Sequence, residues 1–155
     1  MTVDPETKFG IKIQSRGKHR TLEQNYAVIA GAIYTAIGVI GFFITGFSNV
    51  TEMTNHALLG IFYLNPFHNV VHLTVGAFWI AAGLVLTPVA TEGVNFAIGG
   101  FYLLAAILGF LGYLSLVSIP AGLDADNFLH LGSALVTLIF GSGILSAMSG
   151  RTANA

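Results

Sequence analysis

Four long apolar stretches, separated by short polar connections, dominate the pattern of hydrophobic and polar positions along the chain. They lie near 25–47, 66–87, 95–118 and 127–148. Each is long enough to cross the hydrocarbon core of a bilayer as a helix, which takes about 20 residues. The connections are rich in Gly, Pro, Asn and acidic residues, which favour turns. We therefore predict an all-α integral membrane protein, a four-helix bundle with up-down-up-down order.

Composition supports a membrane environment and excludes several classes of protein. Hydrophobic residues make up 54% of the 155 residues and charged residues only 8%, so a soluble domain of this size would lack the polar surface it needs. The formal net charge of -1 provides no basic field for nucleic acid. The chain has no cysteine, which excludes disulfides and thiolate metal sites.

The few charges are unevenly placed, and their placement predicts an orientation. The first 24 residues hold five of the six cations, and the sixth is Arg151. By the positive-inside rule, we expect a basic cytoplasmic tail (1–24), a multi-pass domain in the plasma membrane (25–148) and a cytoplasmic C-terminal tail (149–155). The first and third connections then face outward.

Two short motifs each occur twice and suggest an internal repeat. Asn-x-x-His-Leu occurs at 69–73 and at 127–131, in the second and fourth apolar stretches. Asn-aromatic-Ala-aliphatic occurs at 25–28 and 95–98, in the first and third. The chain thus reads as two pseudo-repeated helical hairpins about an axis along the membrane normal. Matches this short also arise by chance, so the repeat is a hypothesis.

Two helix starts can be read from the same regions. Asn65 followed by Pro66 is a typical N-cap with proline in the first turn, and it predicts the start of the second helix. Asp126 is expected to cap the fourth helix, with its carboxylate at the positive end of the helix dipole.

Histidine and asparagine side chains concentrate near the predicted outer ends of the second and fourth helices. His68 and His72 are four residues apart and share a helix face, and Asp126 and His130 are spaced in the same way on the last helix. Polar groups at this depth are costly against lipid, so we expect the two faces to meet inside the bundle. Three asparagines complete the predicted structural polar cluster: Asn65, Asn69 and Asn127.

Three roles are open for the histidines. In the first, they hydrogen-bond across helices and fix the packing. In the second, His72 and His130, with His68 beside them, ligate a haem or the magnesium of a chlorophyll, for which facing bundle helices are a usual site. In the third, His68, His72 and His130, with Asp126 or Glu52, form a divalent metal or proton site.

The histidine motifs resemble those of a known family. His68-Asn69-Val70-Val71-His72-Leu73, preceded by Leu59-Gly60-Ile61-Phe62, and Asp126-Asn127-Phe128-Leu129-His130-Leu131-Gly132 are similar to the second and fourth helices of a bacterial membrane family catalogued as domain of unknown function 4383. The resemblance covers about residues 25–148. It implies a compact four-helix fold and these histidine positions, and it implies no activity.

We expect this protein to be non-enzymatic, since no dense catalytic constellation and no G-x-S-x-G elbow is present in the sequence. The leading hypothesis is a small accessory or scaffold subunit that packs, through glycine-rich helix faces, against larger membrane partners or copies of itself within the lipid bilayer. The alternatives are a His-ligated haem or chlorophyll protein for electron transfer or pigment binding, and the metal or proton site.

Overall fold

The computed structural model describes residues 6–8, 11–13 and 19–150. In chain order, the elements are β1 (Glu6–Lys8), β2 (Ile11–Ile13), α1 (Leu22–Thr45), β3 (Ala57–Leu58), β4 (Phe62–Tyr63), α2 (Pro66–Val85), α3 (Pro88–Phe110), a 3-10 turn (Ser115–Val117), α4 (Ala125–Gly141) and α5 (Ile144–Met148). Strands β1 and β2 form one antiparallel pair, and β3 and β4 form another.

The predicted all-α bundle is confirmed, and three of its helices have the length and composition of membrane spans. Helices α1, α2 and α3 contain 24, 20 and 23 residues and are strongly apolar. Helix α4 is apolar but has 17 residues, a length of about 26 Å. Large apolar side chains such as Phe43 and Leu104 point outward along the bundle. A lipid bilayer is the environment that such a surface requires.

Several predicted helix boundaries are wrong, each for a local reason. Helix α3 begins at Pro88 and not near 95, because the side chain of Thr87 caps it by accepting a hydrogen bond from the backbone N–H of Ala90. It ends at Phe110 and not near 118. Helix α4 ends at Gly141 and not near 148, because Gly143 adopts a left-handed φ of 75° and separates α4 from α5.

The start of the second helix is confirmed, whereas the predicted cap of the fourth is wrong. The Asn65 Oδ1 atom accepts a hydrogen bond of 2.8 Å from the backbone N–H of His68 and caps α2. At α4 the N-cap is Asp124, whose carboxylate accepts from the backbone N–H of Asp126 at 3.1 Å. Asp126 therefore lies inside the first turn, where its side chain is available for another contact.

Glycines bring the two helices of each hairpin into close contact. A Cβ added to Gly31 of α1 would lie 2.7 Å from the backbone O of Gly76 in α2. In the other hairpin, a Cβ on Gly141 of α4 would overlap the backbone of Phe96 in α3. Most glycines that we expected to contact partner proteins are thus used inside the hairpins, although Gly100 has open space beside it.

The two hairpins have equivalent internal contacts, which supports the predicted repeat but changes its register. Gly41 of α1 lies against the Asn69 side chain of α2, and Gly109 of α3 lies against the Asn127 side chain of α4. Positions in α1 therefore correspond to positions 68 residues later in α3, and positions in α2 to positions 58 residues later in α4. The predicted match of 25–28 with 95–98 is two residues out of register.

The first and third connections meet at one end of the bundle, here named the capped end (residues 46–65 and 111–124). The backbone N–H of Thr54 donates to Ser118 Oγ at 2.9 Å, and Asn65 Nδ2 donates to the carbonyl O of Leu116 at 2.9 Å. At the opposite end, Ile13 of β2 forms an isolated antiparallel bridge with Leu86. The cytoplasmic position of both termini stays a prediction, and Arg151 lies outside the described residues.

Candidate functional site

Three histidines meet just below the capped end and form what we name the histidine cluster (His68, His72 and His130). Helix α2 presents His68 and His72 one turn apart, and α4 presents His130 opposite them. One ring nitrogen from each lies within 4.8 Å of the others. The side chains are only 3%, 6% and 6% exposed. The geometry that the helical spacing predicted, two polar faces meeting inside the bundle, is therefore present.

The hydrogen bonds of the cluster are incomplete. His68 Nδ1 lies 3.2 Å from the carbonyl O of Tyr63, which suits a neutral ring with its proton on Nδ1 and a lone pair on Nε2. By contrast, Nδ1 of His72 and Nδ1 of His130 are buried without a hydrogen-bond partner. Leaving a buried polar atom unsatisfied costs about 1–3 kcal/mol. The described residues thus leave both atoms without the partner that buried polar groups usually have.

A pair of tyrosines positions the cluster, and sequence analysis did not single out this role. The rings of Tyr34 and His72 are 5.2 Å apart with an interplanar angle of 86°. The equivalent pair, Tyr102 and His130, is 5.6 Å apart, and the two tyrosine rings are 5.1 Å apart. The Tyr34 hydroxyl donates to Ser133 Oγ at 2.7 Å. The 68-residue spacing of the tyrosines was the available sequence signal.

Asp126 lies beside the cluster but is outside the set of converging nitrogen atoms. Its carboxylate accepts a hydrogen bond of 2.8 Å from the backbone N–H of Tyr63 in β4. By the 58-residue correspondence it is the equivalent of His68, and both side chains line the same cavity. A role for Asp126 as a metal ligand stays a prediction.

The position of Asp126 gives an expected pH dependence. The residue precedes the fourth apolar stretch, and burial raises the pKa of its carboxyl to about 7, with Asp124 adding to the rise and the Tyr63 N–H opposing it. Because the folded protein holds this proton more tightly than the unfolded chain does, protonated Asp126 contributes its full stabilisation below about pH 4. This contribution to the free energy of unfolding is lost as pH rises through about 7. We expect thermal unfolding in detergent to show this loss for the wild type.

Asp126→Asn keeps an oxygen acceptor for Tyr63 and removes the titration. As pH rises from 4 to 8, the wild type should therefore lose stability relative to this variant. Parallel curves for the two proteins over that range would contradict the assignment to Asp126.

The predicted structural asparagines are fully buried and hold connections in place. Asn65 Nδ2 donates to the carbonyl O of Glu52 as well as to that of Leu116, and Asn69 Nδ2 donates to Thr45 Oγ1 at 2.8 Å. Asn127 Nδ2 donates to two backbone carbonyls of the third connection, those of Pro120 and Gly122. These bonds tie the capped end to the helices beneath it.

Two cavities reach the histidine cluster from opposite sides. One lies between α1 and α4 and has a volume of about 540 Å³. The other lies between α2 and α3 and has a volume of about 300 Å³. His68, His72 and His130 line both. The cavities occur where the two hairpins meet, because the glycine contacts close each hairpin internally and leave the seams between hairpins less filled.

The fold and the site together define a small helical membrane protein with a buried three-histidine cluster. The chain belongs to the family described as Domain of unknown function (DUF4383), whose profile matches residues 24–143. The resemblance read from the histidine motifs is thereby confirmed. Searches of curated proteins and of solved structures give no significant match.

Proposed function

We propose that this protein is a non-enzymatic membrane protein that binds one divalent transition-metal ion at His68, His72 and His130. The observation that carries the proposal is the convergence of three buried imidazole nitrogens within 4.8 Å. In a tetrahedral site with metal–nitrogen bonds of about 2.0–2.1 Å, ligand nitrogens are roughly 3.4 Å apart. The three rings would therefore have to move closer together, by up to about 1.4 Å between nitrogens, when a metal ion binds.

The unpartnered nitrogens support the same proposal. A metal ion would satisfy ring nitrogens of His72 and His130, two side chains whose Nδ1 atoms have no hydrogen bond. The Tyr63 carbonyl fixes the His68 ring through the opposite nitrogen, as outer partners commonly do for ligating histidines.

The donor set indicates the kind of metal. Three imidazoles suit Zn²⁺, Cu²⁺, Ni²⁺ or Fe²⁺ and are poor ligands for Mg²⁺ and Ca²⁺, which prefer oxygen. Three protein ligands also leave a fourth position open for water or another oxygen ligand. Asp126 lines the adjoining cavity and is, with Glu52, one of the two carboxylates predicted for this role.

A tetrapyrrole is less well supported by the geometry than a single ion. Two imidazoles that ligate a haem from opposite faces need an open slot for the macrocycle between them. Here the ring centroids of His68 and His72 are 4.4 Å apart, and those of Tyr34 and Tyr102 are 5.1 Å apart in the same layer. These ring contacts occupy the layer of the histidine cluster itself, where a macrocycle held between two histidines would have to lie, and leave open only the cavities on either side.

An accessory role within a larger membrane assembly is the wider context that we propose for this site. Its support is the small size of the chain and an apolar outer surface on every long helix. The glycine faces no longer contribute to it, because most of them are buried within the hairpins.

Metal content of the purified protein tests the proposal. The full chain is stripped with a chelator in mild detergent and equilibrated with Zn²⁺ in the presence of excess Mg²⁺ and Ca²⁺, and bound metal is measured by elemental analysis. We expect one Zn²⁺ per chain in the wild type and none in a variant with alanine at His68, His72 and His130. Equal zinc content in the two proteins would overturn the metal proposal, and a Soret or chlorophyll band in the isolated protein would favour the tetrapyrrole.

A further inference from the structure

The larger cavity has the form of a binding site for an apolar chain. Its volume of about 540 Å³ lies in the range of small-molecule pockets, about 300–1,000 Å³. Its walls come from α1, α4 and the β3–β4 hairpin, and they are mostly aliphatic and aromatic: Ala30, Ile33, Ile37, Leu58, Phe62 and Leu129. It opens along the seam between α1 and α4, whose outer faces are apolar, so a ligand would enter from the lipid.

Comparison with the equivalent cavity shows that this one is enlarged. The α2/α3 cavity occupies the pseudo-symmetric position but has only about 300 Å³. Phe101 lines it at the position that corresponds to Ile33. Gly132 of α4 corresponds to Thr74 of α2, and a Cβ added to Gly132 would meet no atom within 4 Å. Side chains are not smaller throughout this seam, since Ile37 and Leu129 are larger than their equivalents, Ala105 and Val71. The smaller side chains at Ile33 and Gly132 are thus the local feature that favours a wider α1/α4 seam.

The charges around the cavity restrict the head group of its ligand. No Lys or Arg is among the described residues that line it, and Asp126 is its one acidic side chain. In the metal-free protein, a phosphate or a carboxylate would therefore enter without a countercharge and beside a carboxyl group. His72 and His130 line the same space; their Nδ1 atoms are buried, so a head group would meet the other ring nitrogen. A hydroxyl or carbonyl oxygen is the uncharged group that would hydrogen-bond to an imidazole there.

We propose that the α1/α4 cavity binds a single-chain neutral lipid whose hydroxyl or carbonyl head lies against the histidine cluster. This inference goes beyond the metal site and does not require it. The head oxygen meets an imidazole nitrogen directly, and the preference for a neutral head holds for the metal-free protein, because a bound divalent ion would itself attract an anionic head.

The single tryptophan of the chain provides a built-in reporter. Trp79 is fully buried, and its ring is 5.8 Å from the ring of Tyr34, which lines the cavity. Trp79 does not line the cavity itself, so a brominated lipid chain there should quench its fluorescence at short range across the Tyr34 ring and not by direct contact. Two probes with the same tail, a dibrominated C18 alcohol and the corresponding dibrominated fatty acid, are titrated into chelator-stripped protein at pH 9 in detergent, where the acid is ionised.

We expect saturable quenching by the alcohol and at least a tenfold weaker affinity for the acid. Gly132→Leu fills the cavity from its wall and should weaken alcohol binding at least tenfold. Gly100→Leu adds the same side chain on α3, also where no atom lies within 4 Å, and should leave the affinity unchanged. Ile33→Phe introduces the residue found at the equivalent position of the smaller cavity and should also weaken alcohol binding at least tenfold. It tests the proposal independently if Gly132→Leu does not fold.

Non-saturable quenching that is equal in all variants, or tighter binding of the acid than of the alcohol, would overturn the proposal. Zinc uptake measured on the same preparations separates the two sites. Gly132→Leu should keep its zinc, because it leaves the three histidines in place, so loss of lipid binding with retained metal identifies the cavity itself. A wild type that takes up no zinc but is quenched saturably would remove only the metal proposal.

Discussion

His72→Ala is expected to lower the affinity of the protein for Zn²⁺ by at least 100-fold. His72 supplies one of the three converging nitrogens, and its ring contacts those of His68 and Tyr34. Mutation of groups that only support a metal ligand typically costs 10–100-fold in affinity, so loss of a ligand should cost at least the upper end of that range. A 100-fold loss corresponds to about 2.7 kcal/mol.

Competition with a chromophoric chelator measures this effect, and thermal unfolding gives an independent readout. At a Zn²⁺ concentration of 100 times the dissociation constant, the wild type should gain about 2.7 kcal/mol of stability, and the variant almost none. His56→Ala is the matched control, because His56 is an exposed histidine in the first connection. Equal affinities for wild type and His72→Ala would show that the cluster serves packing alone.

Gly141→Ala is expected to destabilise the protein by about 3 kcal/mol, the upper end of the usual cost of overpacking. The added methyl group would overlap backbone atoms of Phe96 in α3, and backbone cannot move aside as a flexible side chain can. Helices α3 and α4 would have to separate along the second hairpin, and this would weaken packing around Asn95, which accepts a hydrogen bond of 2.7 Å from Trp79 Nε1.

Unfolding in mixed micelles, followed through Trp79, measures this loss. Gly100→Ala serves as the control, since it adds the same methyl group to a helix position with open space. It should be neutral or stabilising by up to about 1 kcal/mol, the difference in helix propensity between glycine and alanine. A similar stability for both variants would mean that the α3–α4 contact is looser than the structure shows.

Helical periodicity was sufficient to predict where the histidines meet. The four-residue spacing of His68 and His72, together with the repeat of their motif around His130, placed three imidazoles on facing helix surfaces near the same end. Apolar length was also sufficient to predict the bundle, because membrane spans need a long uninterrupted hydrophobic run. Both inferences depend on local pattern alone.

Features that depend on contacts distant in sequence could not be predicted in the same way. The Tyr34–Tyr102 pair and the hydrogen bond that the backbone N–H of Tyr63 donates to Asp126 become visible only when the two hairpins are packed together. Whether a glycine contacts its own hairpin or an outside partner also depends on helix rotation, which the sequence does not specify. The start of α3, by contrast, was predictable from the sequence, because Thr87-Pro88 repeats the pattern of an N-cap followed by proline that Asn65-Pro66 shows at the start of α2.

The pseudo-symmetry of the hairpins has a consequence for the direction of ligand exchange. His72 and His130 are equivalent across the pseudo-axis, and so are their tyrosine neighbours, but His68 has an aspartate, Asp126, at its equivalent position. If both halves were alike, neither seam would be favoured over the other. The two sides of the histidine cluster therefore differ: α2 carries a nitrogen donor where α4 carries a carboxyl group, and the wider cavity lies on the α4 side. A ligand should enter and leave through the α1/α4 seam.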